Sequence, residues 1–252
     1  MRIAWESRGD GAPLLLIHGL GYARWGWEPV ADRLAERFRV LLFDNRGIGE
    51  SEVPQGPYTA AAMAGDALQV LDEADVERAH VVGTSLGGMV AQELALAHPE
   101  RVDRLVLACT TPGGAGAFPL PQRTLALIAE APSLAPDVAL RRFVENALAD
   151  DSPEALVDRI YAHRLASPPD PAGWQAQAAA GASFDALDRI GDIGAPTLIL
   201  HGTDDGVVDS RNAALLAERI PDARVRLFES RGHLFFWEDP DGFVEAVEGF
   251  LT

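Results

Sequence analysis

Short apolar runs alternate along this chain with stretches whose apolar residues recur every three or four positions. The runs are Leu14–Ile17, Val40–Phe43, Ala79–Val82, Leu105–Ala108, Thr197–Leu200 and Val225–Phe228. Their length and near-continuous hydrophobicity fit strands buried on both faces. A further stretch, Arg2–Glu6, reads as a leading strand that forms a hairpin with the first run across the turn "RGDGAP", giving about seven strands in all. Between the runs, Met63, Ala67, Val70, Leu71 and Ala74 share one helical face, and Leu86, Val90, Leu94 and Ala97 share another that Pro99 ends. Strand and helix in alternation predict a parallel sheet covered on both sides.

The alternation stops after "LVLACTTPGG". From about Gly113 to Ile190 no strand pattern appears. Leu140, Phe143, Val144, Ala147 and Leu148 mark one helix there, and in "DSPEALVDRIY" Ser152 offers a cap with Pro153 at the first helical position. The strand pattern returns at "APTLIL". Residues 1–112 and 191–252 are therefore expected to form two parts of one α/β core, interrupted by a helical insertion over 113–190.

Composition narrows the function. The 252 residues include 38 acidic and 21 basic side chains, a formal charge of −17, which repels phosphate backbones and anionic lipid and argues against nucleic-acid and membrane partners. Every basic residue is an arginine. Schiff-base chemistry and a phosphate-loop lysine are thus excluded. The lone Cys109 rules out an internal disulfide. The N-terminus is polar and turn-rich, unlike a secretory signal, and no apolar run could span a bilayer, so the chain reads as soluble and cytoplasmic.

The candidate chemistry sits in "VVGTSLGGMV", residues 81–90. Gly83-x-Ser85-x-Gly87 joins the end of a buried strand to the start of a helix, in the spacing of a nucleophile elbow. A serine hydroxyl needs a base, and the base needs an orienting acid. Of the six histidines, His18 and His201 end strands, His80 begins one, His98 lies in a helix-ending turn and His163 in the insertion. His233, in the loop "SRGHLFFWEDP" after the last strand, can swing over the serine. The acid is expected in "LILHGTDDGVVD", where Asp204, Asp205 and Asp209 all follow a strand, and the residues alone do not separate Asp204 from Asp205.

The chain order Ser, Asp, His is that of one fold. "LLLIHGLG", "FDNRGIGES", "VVGTSLGGM", "LILHGTDDGVV" and "GHLFFWEDP" together resemble the α/β-hydrolase superfamily over essentially the whole chain. The resemblance implies a mostly parallel, doubly wound sheet with a helical cap inserted after the sixth core strand. It places the acid at Asp205, beside the catalytic Ser85 and His233, and gives the oxyanion hole to the backbone N–H groups of Leu20 and Leu86. It implies a structural role for the loop Asp44–Ser51, including Arg46. No metal or organic cofactor is implied.

The segment "GTSLGGMVAQELALAHPERVDRLVLACTTPGG" is especially similar to the 3-oxoadipate enol-lactonase and small carboxylesterase branch, implying a small ester or lactone substrate. Carbon–carbon bond hydrolases, thioesterases and perhydrolases use the same three residues. A hydrolase-like receptor would be expected to have lost one of them. An anionic lactone would call for a cation in the pocket, for which Arg24, Arg123, Arg141 and Arg142 are candidates. Tyr22, Trp25, Phe118, Trp174 and Phe235–Trp237 are candidate pocket aromatics.

Overall fold

A computed structural model describes residues 1–252. The strands are β1 Trp5–Arg8, β2 Ala12–Ile17, β3 Phe38–Phe43, β4 Ala79–Thr84, β5 Val102–Ala108, β6 Thr197–Gly202 and β7 Ala223–Phe228. The helices are α1 Ala31–Leu34, α2 Ala60–Glu73, α3 Leu86–Ala97, α4 Gln122–Glu130, α5 Pro136–Asn146, α6 Glu154–Ala166, α7 Pro171–Ala182, α8 Arg211–Arg219, α9 Phe235–Glu238 and α10 Pro240–Leu251. None is long and apolar enough to cross a membrane.

The seven strands form one sheet in the order β1-β3-β2-β4-β5-β6-β7, parallel except for β1. Side chains along a strand alternate between faces, and two separate cores result. Leu15, Ile17, Leu41, Val81, Leu105 and Ile199 pack with α2, α3 and α8. Their neighbours Leu14, Leu16, Leu42, Val82, Val106 and Leu200 pack on the opposite face with α1, α9 and α10. Runs that are apolar at every position fit this two-sided burial.

Two sequence expectations need correction. The leading strand lies at Trp5–Arg8 and pairs antiparallel with β3 rather than in a hairpin with β2. The reason is that β2 already has parallel partners on both sides, β3 and β4, so the first strand is left with the outer edge of β3. The helices α4 to α7 follow the fifth strand rather than the sixth, because the N-terminus supplies only one strand ahead of β2. Between β5 and β6 the only β pairing is an isolated bridge from Gly113 to Asp185.

Candidate active site

Ser85 sits between the end of β4 and α3 with φ 54° and ψ −121°. An L-residue is strained in that region, by about 1–3 kcal/mol, and persists there only when its surroundings hold it. The end of β5 does so. Ser85 N donates to Ala108 O at 2.9 Å, and Thr110 Oγ1 donates to Ser85 O at 2.7 Å. The flanking glycines reflect the same crowding: a Cβ on Gly83 would run into Gly87 O, and one on Gly87 into Ile17 O. Gly19 is equally confined, since its Cβ would stand 2.9 Å from the Ser85 Cβ. The turn therefore requires glycine at 83 and 87, and the neighbouring loop requires it at 19.

Two backbone amides beside the serine have no partner. Leu86 N–H is the first of α3, where the helix offers no acceptor, and Leu20 N–H donates to no protein group. Its neighbours are occupied: Gly19 N donates to His18 Nδ1 at 2.7 Å and Gly21 N to Gln177 Oε1 at 3.1 Å. Gln177, fully buried in α7, also donates from Nε2 to Arg46 O at 2.8 Å, so one side chain ties two loops to α7. Nearby the α7 backbone touches the Arg46 loop directly: a Cβ on Gly173 would strike Gly47 O.

Asp205 and His233 meet across the ends of β6 and β7. His233 Nδ1 donates to Asp205 Oδ2 at 2.8 Å, while Asp205 Oδ1 accepts from Val207 N at 2.7 Å and Val208 N at 2.8 Å. Burial pushes the Asp205 carboxyl up, but the adjacent His233 charge and bonds from His201 and His233 outweigh it and hold the group well below the usual carboxylate range. Burial likewise pushes His233 down, and the Asp205 charge, with a smaller contribution from Cys109, raises it well above 6.5. Asp204 is exposed and its carboxylate accepts only from Thr203 Oγ1 at 3.0 Å; Asp209 pairs with Arg211. Of the three acids in the loop, one is buried against an imidazole.

Ser85, His233 and Leu20 line one cavity of about 220 Å³. The Ser85 hydroxyl makes no hydrogen bond to the imidazole here. In unliganded sites such bonds are commonly long. The rest of the wall is mostly apolar, with Leu140, Phe143 and Val144 of α5 and Leu234 and Phe236 below. Among the candidate aromatics, Tyr22, Trp174 and Phe236 reach the cavity, whereas Phe235 packs on Phe228 and Trp237 on Trp25 and His163.

The candidate cations do not reach the cavity. Arg24 is held by Asp44 and Glu50, Arg123 by Asp150, Arg141 by Asp158 and Arg142 by Glu130. Arg46 is fixed on Asp66, and Asp44 accepts from Arg24 N and Glu50 N, so this loop is built from internal bonds.

Three residues were missed in sequence. Arg164 lines the cavity, and its signal was its place on the buried face of α6, four positions from Ile160 and seven from Val157. His201 is fully buried and its Nε2 lies 3.0 Å from Asp205 Oδ2 and 3.2 Å from Val208 O, so Asp205 serves two imidazoles. His18 lies in the cavity wall stacked on Tyr22, and burial lowers it to about 3, so it stays neutral.

The alpha/beta hydrolase fold family matches residues 12–240, and the chain belongs to that family. It is 36% identical over 254 residues to a protein of Azorhizobium caulinodans named "Putative carbamate hydrolase RutD", covering 98% of this chain and 93% of that one. It is 31% identical over 268 residues to a pimeloyl-[acyl-carrier protein] methyl ester esterase of Aeromonas hydrophila, covering the full length of both. The solved enol-lactonase of Burkholderia xenovorans LB400 superposes with a TM-score of 0.87 at 26% identity, over 99% of this chain and 96% of that one. Carbon–carbon bond hydrolases also stand among the neighbours. These relatives differ in the bond they break and share hydrolysis: the chain is a hydrolase of this fold.

Proposed function

We propose that this protein hydrolyses a carboxylic ester or lactone bond in a small, largely apolar substrate through an acyl-enzyme on Ser85. The observation that carries the reading is the joint placement of a strained serine at a helix N-terminus and a buried Asp205–His233 pair on one apolar cavity. On substrate binding the Ser85 hydroxyl closes onto His233. The imidazole takes the hydroxyl proton as Oγ attacks the carbonyl carbon, and the oxygen that becomes negative lies between the free N–H groups of Leu20 and Leu86. His233 then gives the proton to the leaving alcohol. Water repeats the cycle, losing its proton to His233 as it attacks the acyl carbon, and His233 returns that proton to Ser85 Oγ as the bond to the acyl group breaks and the acid leaves. Asp205 holds the imidazole with its hydrogen on Nδ1 and stabilises the positive ring. No metal or organic cofactor takes part in these steps.

The helices between residues 113 and 190 act as a cap in this reading, since α5, α6 and α7 all contribute side chains to the cavity wall. Its volume suits a small molecule. The second reading, cleavage of a carbon–carbon bond, uses the same residues and is favoured by the neighbours of that activity. Turnover of p-nitrophenyl acetate, an acyl-thioester and a β-diketone separates the readings. The Ser85→Ala variant, folded by circular dichroism, is expected to lose about four to six orders of magnitude of ester turnover, the scale of removing a nucleophile. It should also lose labelling by a fluorophosphonate. Ester hydrolysis that survives this substitution would refute the mechanism.

A further inference from the structure

The cavity carries one full charge that the proposed mechanism does not use. His18 is neutral and His233 is paired with Asp205, which leaves Arg164 as the free cation on the wall. The other arginines of the insertion each meet a carboxylate: Arg123 meets Asp150, Arg141 meets Asp158, Arg142 meets Glu130, Arg159 meets Glu28 and Arg189 meets Glu93. Arg164 makes no ion pair, in a chain with 38 acidic residues to offer one. Neutral groups hold it instead. Nη1 donates to Gly21 O at 2.9 Å, and the guanidinium carbon lies 4.7 Å from the centre of the Tyr22 ring. Nε is buried without a partner.

A half-buried guanidinium with unused donors and no counter-charge is unfavourable by itself. The surrounding backbone is nevertheless shaped to admit it. Gly21 has φ +74°, and a Cβ there would stand 3.2 Å from Arg164 Nη1 and 2.8 Å from the Trp174 ring. The fixed, planar fork suits a carboxylate, which it can bind through two parallel N–H donors.

We propose that Arg164 is an anion subsite of this cavity and that the substrate is a small ester or lactone carrying one carboxylate on an otherwise apolar body. The proposal rests on Ser85 being the nucleophile. It places charge recognition and chemistry on one loop, because Gly21, whose carbonyl holds Arg164, directly follows Leu20, whose N–H faces the developing oxyanion. A carboxylate on Arg164 would fix the distance from that end of the substrate to the reacting carbonyl. An uncharged ester of the same length lacks that anchor.

The test compares p-nitrophenyl hemiglutarate with p-nitrophenyl pentanoate, which share acyl length and leaving group and differ in the terminal carboxylate. The wild-type protein is expected to favour the hemiglutarate in kcat/KM. Arg164→Gln should reduce that preference about tenfold to a hundredfold, as loss of a charged hydrogen-bonding pair does, and Arg164→Lys should retain part of it. A preference ratio that is the same in the wild type and in Arg164→Gln would overturn the proposal. Calorimetric binding of both esters to Ser85→Ala, with and without Arg164→Gln, separates this result from failure of the ester reading. Arg164-dependent binding of the hemiglutarate without turnover by the wild type would uphold the subsite and remove ester hydrolysis. Turnover of both esters with no dependence of binding or rate on Arg164 would do the reverse.

Discussion

Replacing Asp205 by Asn preserves shape and removes charge, and the hydrogen bonds around the carboxylate dictate how the site responds. The Asn carbonyl oxygen can keep the two amide donors of Val207 and Val208, at 2.7 and 2.8 Å. The NH2 group must then stand where Oδ2 stood, facing His233 Nδ1, which donated to it, and His201 Nε2, 3.0 Å away. His233 escapes the clash of hydrogens only by moving its own to Nε2. That nitrogen then has no lone pair for the Ser85 proton, and loss of the correct tautomer costs on the order of 10⁴ in kcat. The assay is p-nitrophenyl acetate turnover, with Asp204→Asn alongside. Asp204 is exposed, so its variant should stay within about threefold of wild type, as surface changes usually do. Retention of more than about a tenth of the activity by Asp205→Asn, or equal damage from Asp204→Asn, would refute the assignment of the acid.

The same pair sets a pH signature. In the proposed mechanism catalysis needs neutral His233, whose value lies above 6.5, so the acid limb of kcat/KM should fall above that of free imidazole. Asp205 has a folded value below 3.8, so its stabilisation is present above 3.8 and lost as pH falls through the depressed value. His233 has a raised folded value, so its stabilisation is full below 6.5 and lost as pH rises through that value. The difference in Tm between wild type and Asp205→Asn is therefore expected to peak between pH 3.8 and 6.5. A difference that grows steadily above pH 6.5 would contradict the pairing. His201 Nε2 stands 3.0 Å from the oxygen that serves His233 and helps hold the Asp205 carboxyl down, which weakens the pull of Asp205 on His233; His201→Leu should move the acid limb of the kcat/KM profile upward, and a downward shift would show that His201 acts otherwise. Gly87→Ala drives a Cβ into the Ile17 carbonyl and should lower stability by about 1–3 kcal/mol, a Tm loss of roughly 2–12 °C. Gly65→Ala, within α2 with nothing near its Cβ, should instead raise stability by up to about 1 kcal/mol, and thermal melts of the two variants check both signs.

The inner strands of the core were legible because their apolar runs are buried on both faces, and local pattern then reports tertiary position; β7, at the sheet edge, exposes Val225 and Leu227 and showed itself by its β-rich run alone. The pairing of the leading strand was not, because it depends on which edges remain free once β2 has taken β3 and β4, and no local signal carries that. Gly83 and Gly87 announced their turn because the crowding they relieve lies within the motif and the adjoining strand. His201 looks like an ordinary strand-end residue; its contact with Asp205 depends on the turn of the intervening loop bringing the carboxylate back over the strand. Arg164 does not stand out from the other arginines of the insertion in sequence, although those find carboxylates around them and Arg164 does not.

The meeting of Gly47 with Gly173 has a mechanical consequence. Where α7 crosses the Arg46 loop no side chain separates the two backbones, and the adjacent Gln177 clamps both sides of the crossing. The roof is bolted down at that end. α4 is tied to the core differently, through side chains: Arg123 donates to Asp204 O and Thr124 to Gly206 O, while Leu125 and Ile128 of the same helix stay exposed. A bulkier residue at 47 or 173 would act as a wedge between the two backbones without entering the cavity itself.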